Sequence, residues 1–165
     1  MSNIRDDLKA EYQLLQNQYE AFDQRALSLK ALATPLLGAG IAVGWKEVSL
    51  PLIAMTMVAA GAIWLLEVNW KIFQYCNVPR IKQLEAWFRE EAPADIPPFQ
   101  IFTSWTEAWP AWKDAGKIWS IARQPFVALP YVVIIVAGLI VVGYSPDRFD
   151  PPPASAPTPA TQSPS

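Results

Sequence analysis

The side chains that ordinarily carry chemistry are few in this sequence and poorly spaced for it. Its 165 residues include no histidine and one cysteine, Cys76. Without imidazole there is no neutral-pH proton shuttle, no His-activated nucleophile and no histidine for a zinc site. A lone cysteine offers neither an intramolecular disulfide nor a CxxC pair, and Cys76 beside Tyr75 reads as a packing residue. Glu90-Glu91 could be imagined as paired carboxylates. Adjacent helical positions point in different directions, however, so a solvated helix end is expected there. No phosphate-cradling glycine loop and no nucleophile elbow occurs. The expectation is a non-enzyme with no catalytic residue, cofactor, metal or evident small-molecule substrate. The one charged spacing that suits a helix is Glu67 with Lys71, four residues apart, which predicts an interfacial ion pair on one face.

The elements that would position these groups are dominated by hydrophobicity. Ala31–Trp45, Val48–Leu66 and Gln124–Pro146 contain no Asp, Glu, Lys or Arg over 15, 19 and 23 residues. Crossing a hydrocarbon layer of about 30 Å takes about 20 helical residues. The first block reaches that length through the uncharged Ala26–Leu29 and a snorkelling Lys30. These blocks predict an all-α integral membrane protein with three transmembrane helices near 28–46, 49–67 and 126–145. The first two form a tight hairpin. Gly40-xxx-Gly44 on span one and Thr56-xxx-Ala60 on span two are small-residue spacings that allow close helix approach. Ser49 before Leu50-Pro51 suits the N-cap of span two. Trp64 and Trp70 suit a common headgroup level.

Outside the membrane, Ile4, Leu8, Tyr12, Leu15, Tyr19, Phe22, Ala26 and Leu29 alternate by three and four. This heptad-like seam, centred on Leu15, Tyr19 and Phe22, can serve a coiled-coil contact between subunits or packing within the chain. Residues 92–98 with Pro93, Pro97 and Pro98 read as a linker. The following Trp105, Trp109, Trp112 and Trp119 suit either an interfacial helix or the core of an extramembrane layer, with Pro110 marking a start or kink. The organisation expected is 1–91 as N-terminal helix, hairpin and helical extension. Then come the 92–98 linker, 99–145 as Trp-rich segment and third span, and 146–165 as a disordered Pro-rich tail.

Eleven of the thirteen Lys and Arg residues precede span one or lie between spans two and three. The positive-inside rule assigns those segments to the cytosol, giving a multi-pass protein of the bacterial inner membrane with N-terminus in and C-terminus out. Residues 1–25 are polar, so span one is expected to direct insertion. The net charge of −2 gives no basic field for nucleic acid. The partners expected are the lipid bilayer and a second protein, or a second copy, on the cytosolic helices.

Tyr19-xx-Phe22-xx-Arg25, a close membrane hairpin, Glu67-xxx-Lys71-xx-Gln74 and Arg80-Ile-xx-Leu84-Glu85 together resemble the SLATT-type small membrane proteins of bacterial conflict systems. The resemblance covers residues 12–91 and implies a two-span helical module acting as a membrane-perturbing effector, with no catalytic residues to carry over. The third span and the Pro-rich tail depart from that pattern. Two functional expectations follow: a non-enzymatic scaffold or accessory subunit, or an oligomeric pore-forming or membrane-perturbing effector.

Overall fold

The computed structural model describes residues 3–93, 95–144 and 146–149. Among them the chain forms six α-helices and no strand: α1 Ile4–Lys46, α2 Leu50–Tyr75, α3 Val78–Phe88, α4 Ile101–Trp112, α5 Ala115–Ala122 and α6 Pro125–Tyr144. Three of them, α1, α2 and α6, are long and apolar enough to cross a membrane.

The first helix runs 43 residues without a break. Asn3 caps it by accepting from the Arg5 amide, and Asp6 and Asp7 sit where the N-terminal dipole favours negative charge. Its polar first half and apolar second half are thus one continuous rod, with Pro35 inside it. The rod ends in a doubly bonded turn: Ser49 N–H donates to Gly44 O at 2.8 Å and Val48 N–H to Trp45 O at 3.4 Å. This Schellman arrangement needs a left-handed residue, and here that residue is Val48, at φ 53°. Ser49 then caps α2 through the Leu52 amide, with Pro51 in the first turn.

The hairpin closes on its small residues. A Cβ on Gly40 would fall 2.5 Å from Thr56 Oγ1, and one on Gly44 would fall 2.6 Å from Ile53 Cγ1. Thr56 and Ala60 are buried, Thr56 with its hydroxyl returned to Leu52 O. The antiparallel α6 closes the bundle, with Gly138 against Met57. Ala33, Leu37, Ile41, Ile53, Ala60, Tyr131 and Ile134 form its core.

A second layer sits at the other end of the rod. Leu8 and Leu15 of the seam are fully buried with Ile81, Leu84 and Ile96, and Tyr12 and Tyr19 flank them. The seam therefore packs within the chain, and Phe22 is only half-buried at its end. Residue 96 lies in the expected linker, whose irregular stretch is anchored by this buried isoleucine.

Several expectations need correction. Pro110 does not mark the break in the Trp-rich segment. It lies inside α4, and the interruption falls at Lys113-Asp114, where the Asp114 carboxylate accepts from Gly116 and Lys117 amides and caps α5. A proline in the last turn forfeits one helical bond, whereas an Asp cap actively starts a new helix. Trp64, expected only to sit at a headgroup level, takes a partner within the fold. Its indole N–H reaches the Ala122 carbonyl, wedged between α2 and the α5–α6 corner. Part of the tail expected to be disordered is folded, because Pro146–Phe149 forms a 3-10 turn. Phe149 sits 6.4 Å from the Trp45 ring, and the Arg148 guanidinium lies 4.2 Å over it. The remainder of that tail, 150–165, lies outside the described residues.

Candidate functional site

Polar chemistry in this fold is concentrated in three clusters, each joining helices distant in sequence. The deepest joins all three apolar helices. Glu67 is fully buried, and the Lys30 ammonium lies 2.6 Å from its Oε1. The Tyr131 hydroxyl donates to Oε2 at 2.9 Å. The Lys30 hydrogen bond is directed to Phe126 O at 2.6 Å, so its contact with Oε1 is an ion pair rather than an aligned hydrogen bond. That carbonyl is free for a local reason: Pro130, four residues on, has no N–H to take it. The Phe126 ring completes the pocket 4.9 Å from the ammonium.

The second cluster lies next along the rod. Lys71 pairs with Asp23 at 2.6 Å and donates to Gln74 Oε1 at 2.8 Å, while Gln74 Nε2 donates to the Tyr19 carbonyl at 2.8 Å. Burial, and then the neighbouring Tyr75, raise the Tyr19 phenol pKa, with Lys71 opposing. The expected Glu67–Lys71 pair is therefore not formed. Each residue takes a partner from α1, because the hairpin brings an opposite charge to each at its own depth, and a buried carboxylate cannot remain half-satisfied.

The third cluster holds the second layer together. Arg80 donates through Nε and Nη2 to the two oxygens of Glu11 at 2.9 and 2.8 Å, both residues being buried. It also donates to Gln83 Oε1 and Pro97 O, each at 2.8 Å. Glu11 Oε2 in turn accepts the Phe99 amide at 2.7 Å. One fork thus ties α1, α3 and the irregular 95–99 segment, and holds Phe99 at its left-handed φ of 59°.

The tryptophans differ in burial. Trp105 and Trp109 stack at 5.1 Å and pack on Phe73, with the Trp105 indole N–H on the Phe73 carbonyl. Trp112 lies 5.1 Å from Tyr75. These three fill the layer against α2. Trp119 is 59% exposed with the Arg123 guanidinium over it, and Phe102 is 78% exposed. Cys76 is fully buried in the cluster that Trp105, Trp109 and Trp112 pack against, and burial raises its thiol pKa. Glu90 stands at φ 63° in a second Schellman turn ending α3, and Glu91 pairs with Arg89 at 2.9 Å, so the two carboxylates serve a helix end.

Of the residues singled out from sequence, Gly40, Thr56, Gly44 and Ala60 meet in the hairpin, Leu15 and Tyr19 meet in the layer, and Glu67 and Lys71 take different partners. Glu11, Lys30 and Tyr131 were missed. Glu11 carried a signal: it lies three residues after Leu8 and four before Leu15, so a charge stands on the seam face itself. Tyr131 carried none beyond its place in an apolar block.

The fold and these clusters define an all-helical protein with three helices of membrane-crossing length, braced by buried ion pairs. No protein-family model, curated protein or solved structure matches the chain.

Proposed function

We propose that the chain is a three-span integral membrane protein that acts by interaction, as a scaffold or accessory subunit, with no catalysis of its own. The observation carrying this reading is α1, a single 43-residue helix shared by the apolar bundle and the second layer. The buried polar groups are consumed in bracing that rod against its neighbours. The product is a stiff platform held at fixed height over a bilayer.

Twenty residues separate Trp45 from Arg25, Leu50 from Trp70 and Tyr144 from Gln124. At about 1.5 Å per residue each interval covers about 30 Å, one hydrocarbon thickness. Trp45, stacked under Arg148, then marks one interface, and Arg25, Trp70 and Gln124 mark the other. Lys30 lies about 7 Å inside the latter and Tyr131 about 10 Å inside, so the Lys30–Glu67–Tyr131 cluster is intramembrane. The charge distribution supports placing the second layer in the cytosol of a bacterial cell and the C-terminus outside. A phosphatase fused after Ser165 should be active; an inactive phosphatase with a fluorescent cytosolic fusion at the same site overturns that orientation.

A second reading, an oligomeric pore or membrane-perturbing effector, is favoured by Gly38, Gly61 and Gly143, where an added Cβ would meet nothing within 4 Å. Such uncovered small-residue faces allow another copy to approach, and the SLATT-like pattern over 12–91 points the same way. Controlled expression separates the two. Harmless expression, with a protein partner retained in detergent and lost in Phe22→Asp, supports the scaffold. Growth arrest with membrane depolarisation supports the effector.

A further inference from the structure

The short helix α5 is held at one level of α2 by its contacts. Ile121 and Ala122 are buried in one cluster with Val68 and Ile72, which flank Trp70 by two residues on either side. Trp112, before α5, lies 5.1 Å from the Tyr75 ring, and Gln124, after it, accepts from the Tyr75 hydroxyl at 3.3 Å. The helix therefore sits beside residues 68–75. Its outward side is basic. Lys113, Lys117 and Arg123 are exposed, and none makes an ion pair among the described residues. Each lies over an indole instead: Lys113 over Trp109 at 5.1 Å, Lys117 over Trp112 at 5.0 Å and Arg123 over Trp119 at 5.7 Å. Of the two acids in the stretch, Asp114 is taken by the Gly116 and Lys117 amides. Glu107, two residues from both Trp105 and Trp109, stands on the opposite face of α4 from them. Just past Arg123 an open groove of about 320 Å³ begins, lined by Leu27, Lys30, Pro125, Phe126, Leu129 and Pro130. Phe126 and Leu129 are exposed in it, and Lys30 is already paired with Glu67.

We propose that α5 and its flanks bind anionic phospholipids of the adjacent leaflet, with phosphates on Lys113, Lys117 and Arg123. The lipid at Arg123 lays a chain in the groove beside Phe126 and Leu129. The inference rests on the three-span reading, which sets the depth. Val68 and Ile72 then lie about 3 Å to either side of the hydrocarbon edge at Trp70, and Tyr75 about 7 Å outside it. The headgroup zone is about 5–7 Å thick on each side, so α5 lies within it. The order along the membrane normal is that of a lipid. The cations stand at phosphate height, whereas Phe126 and Leu129, two and five residues past Gln124, lie about 3 Å and 7 Å inside the hydrocarbon. Charge complementarity selects the occupant. Three cations without acidic partners face a level where the anions are phosphates, and anionic lipids draw basic residues to that surface. Exposed Trp119 suits the same zone. A soluble anion would gain nothing from the groove, and a neutral lipid little from the cations. An anionic phospholipid uses both.

The test uses the full chain in nanodiscs containing phosphatidylglycerol and phosphatidylcholine of equal chain length, released into the gas phase for native mass spectrometry. The expected result is preferential retention of phosphatidylglycerol. Lys117→Gln and Arg123→Gln should each lower that preference about five-fold, the effect of one basic residue at an anionic surface. Arg123→Lys, which keeps the charge, should preserve it. Leu129→Ser should lower retention of both lipids, and Arg5→Gln, at the far end of α1, should change neither. All of these side chains are exposed, so their loss leaves the core intact. A nitroxide on Ser120→Cys should be relaxed by a nickel chelate anchored to headgroups more than by one free in water. Equal retention of the two lipids, a preference unchanged in Lys117→Gln and Arg123→Gln, or a nitroxide in bulk water overturns the proposal. So does displacement of the lipid by millimolar glycerol phosphate, or a dimer that dissociates in the two Gln variants. Failure of the wild-type chain to enter nanodiscs refutes the membrane reading instead, so the two failures are distinct.

Discussion

Removing the Lys30 ammonium is expected to cost far more than removing the Glu67 charge, although the two form one pair. In Lys30→Met a fully buried carboxylate loses its counterion and keeps only the Tyr131 hydroxyl. Breaking a buried pair in this way costs about 3–5 kcal/mol. In Glu67→Gln the amide still accepts from Tyr131. Lys30, 12% exposed, keeps the Phe126 carbonyl and has a long stem that lets the ammonium shift toward the surface. That loss should be nearer 1–3 kcal/mol, the scale of one charged hydrogen bond. The double variant Lys30→Met/Glu67→Gln buries no charge and should fall close to Glu67→Gln alone, about 2 kcal/mol above Lys30→Met. The assay is equilibrium unfolding by SDS titration in mixed micelles, read by tryptophan fluorescence. Two single variants of equal cost, or costs that simply add in the double variant, would refute the buried-pair reasoning.

Four further outcomes follow from the same geometry. Gly44→Ala, whose Cβ meets Ile53 on side chain and backbone, should destabilise by about 1–3 kcal/mol, whereas Gly38→Ala, facing open space, should be neutral in the same titration. Val48→Gly relieves a β-branched residue held at φ 53° and should stabilise the hairpin by about 1 kcal/mol; a loss of stability would mean the turn is not strained. Arg80→Lys cannot span both Glu11 oxygens together with Gln83 and Pro97, so limited proteolysis should open the 95–99 segment while the three apolar helices stay protected. Burial lifts the Cys76 thiol pKa above its ordinary 9.0, so the folded state holds the proton more tightly than the unfolded one. The resulting stabilisation is complete below the ordinary thiol range and is lost as pH rises through the folded value. Maleimide at pH 8 should label native protein at least about ten-fold more slowly than SDS-unfolded protein, and equal rates would place the thiol at the surface.

How much of this was legible depends on whether a residue's partner is local. The apolar blocks announced three helices because length and lack of charge are properties of one segment. The alternation through Leu8, Leu15 and Tyr19 announced a buried face for the same reason. The start of α5 at Asp114 was hidden by a nearer signal, Pro110, which interrupts bonding yet fits the last turn of α4. The pairing of Glu67 with Lys71 was the natural local reading and was superseded. A pair four residues apart on an exposed face contributes a few tenths of a kcal/mol, while leaving Lys30 and Glu67 both unpaired at depth costs several. The heavier penalty decides the pairing.

The non-local pairs still obey a rule that the sequence contains. Measured from Val48 at the turn, Lys30 is 18 residues back and Glu67 is 19 forward, while Asp23 is 25 back and Lys71 is 23 forward. In an antiparallel hairpin, residues equidistant from the turn lie at equal height, so each charge meets an opposite one. Height alone is not enough, because each residue of slip turns a helix by about 100° and would swing Lys30 away from Glu67. The register is set at the other end of the hairpin, where Gly40 admits Thr56 and Gly44 admits Ile53, leaving no room for a shifted pairing. The glycines and the ion pairs therefore depend on one another. Close approach at Gly40 and Gly44 fixes the rotation that aligns the charges, and the ion pairs penalise any rotation that would let the glycines part. Beyond the hairpin α1 continues unbroken into the second layer, where Glu11 meets Arg80 of α3. One continuous helix thus carries both the Glu11–Arg80 fork and the Lys30–Glu67 pair.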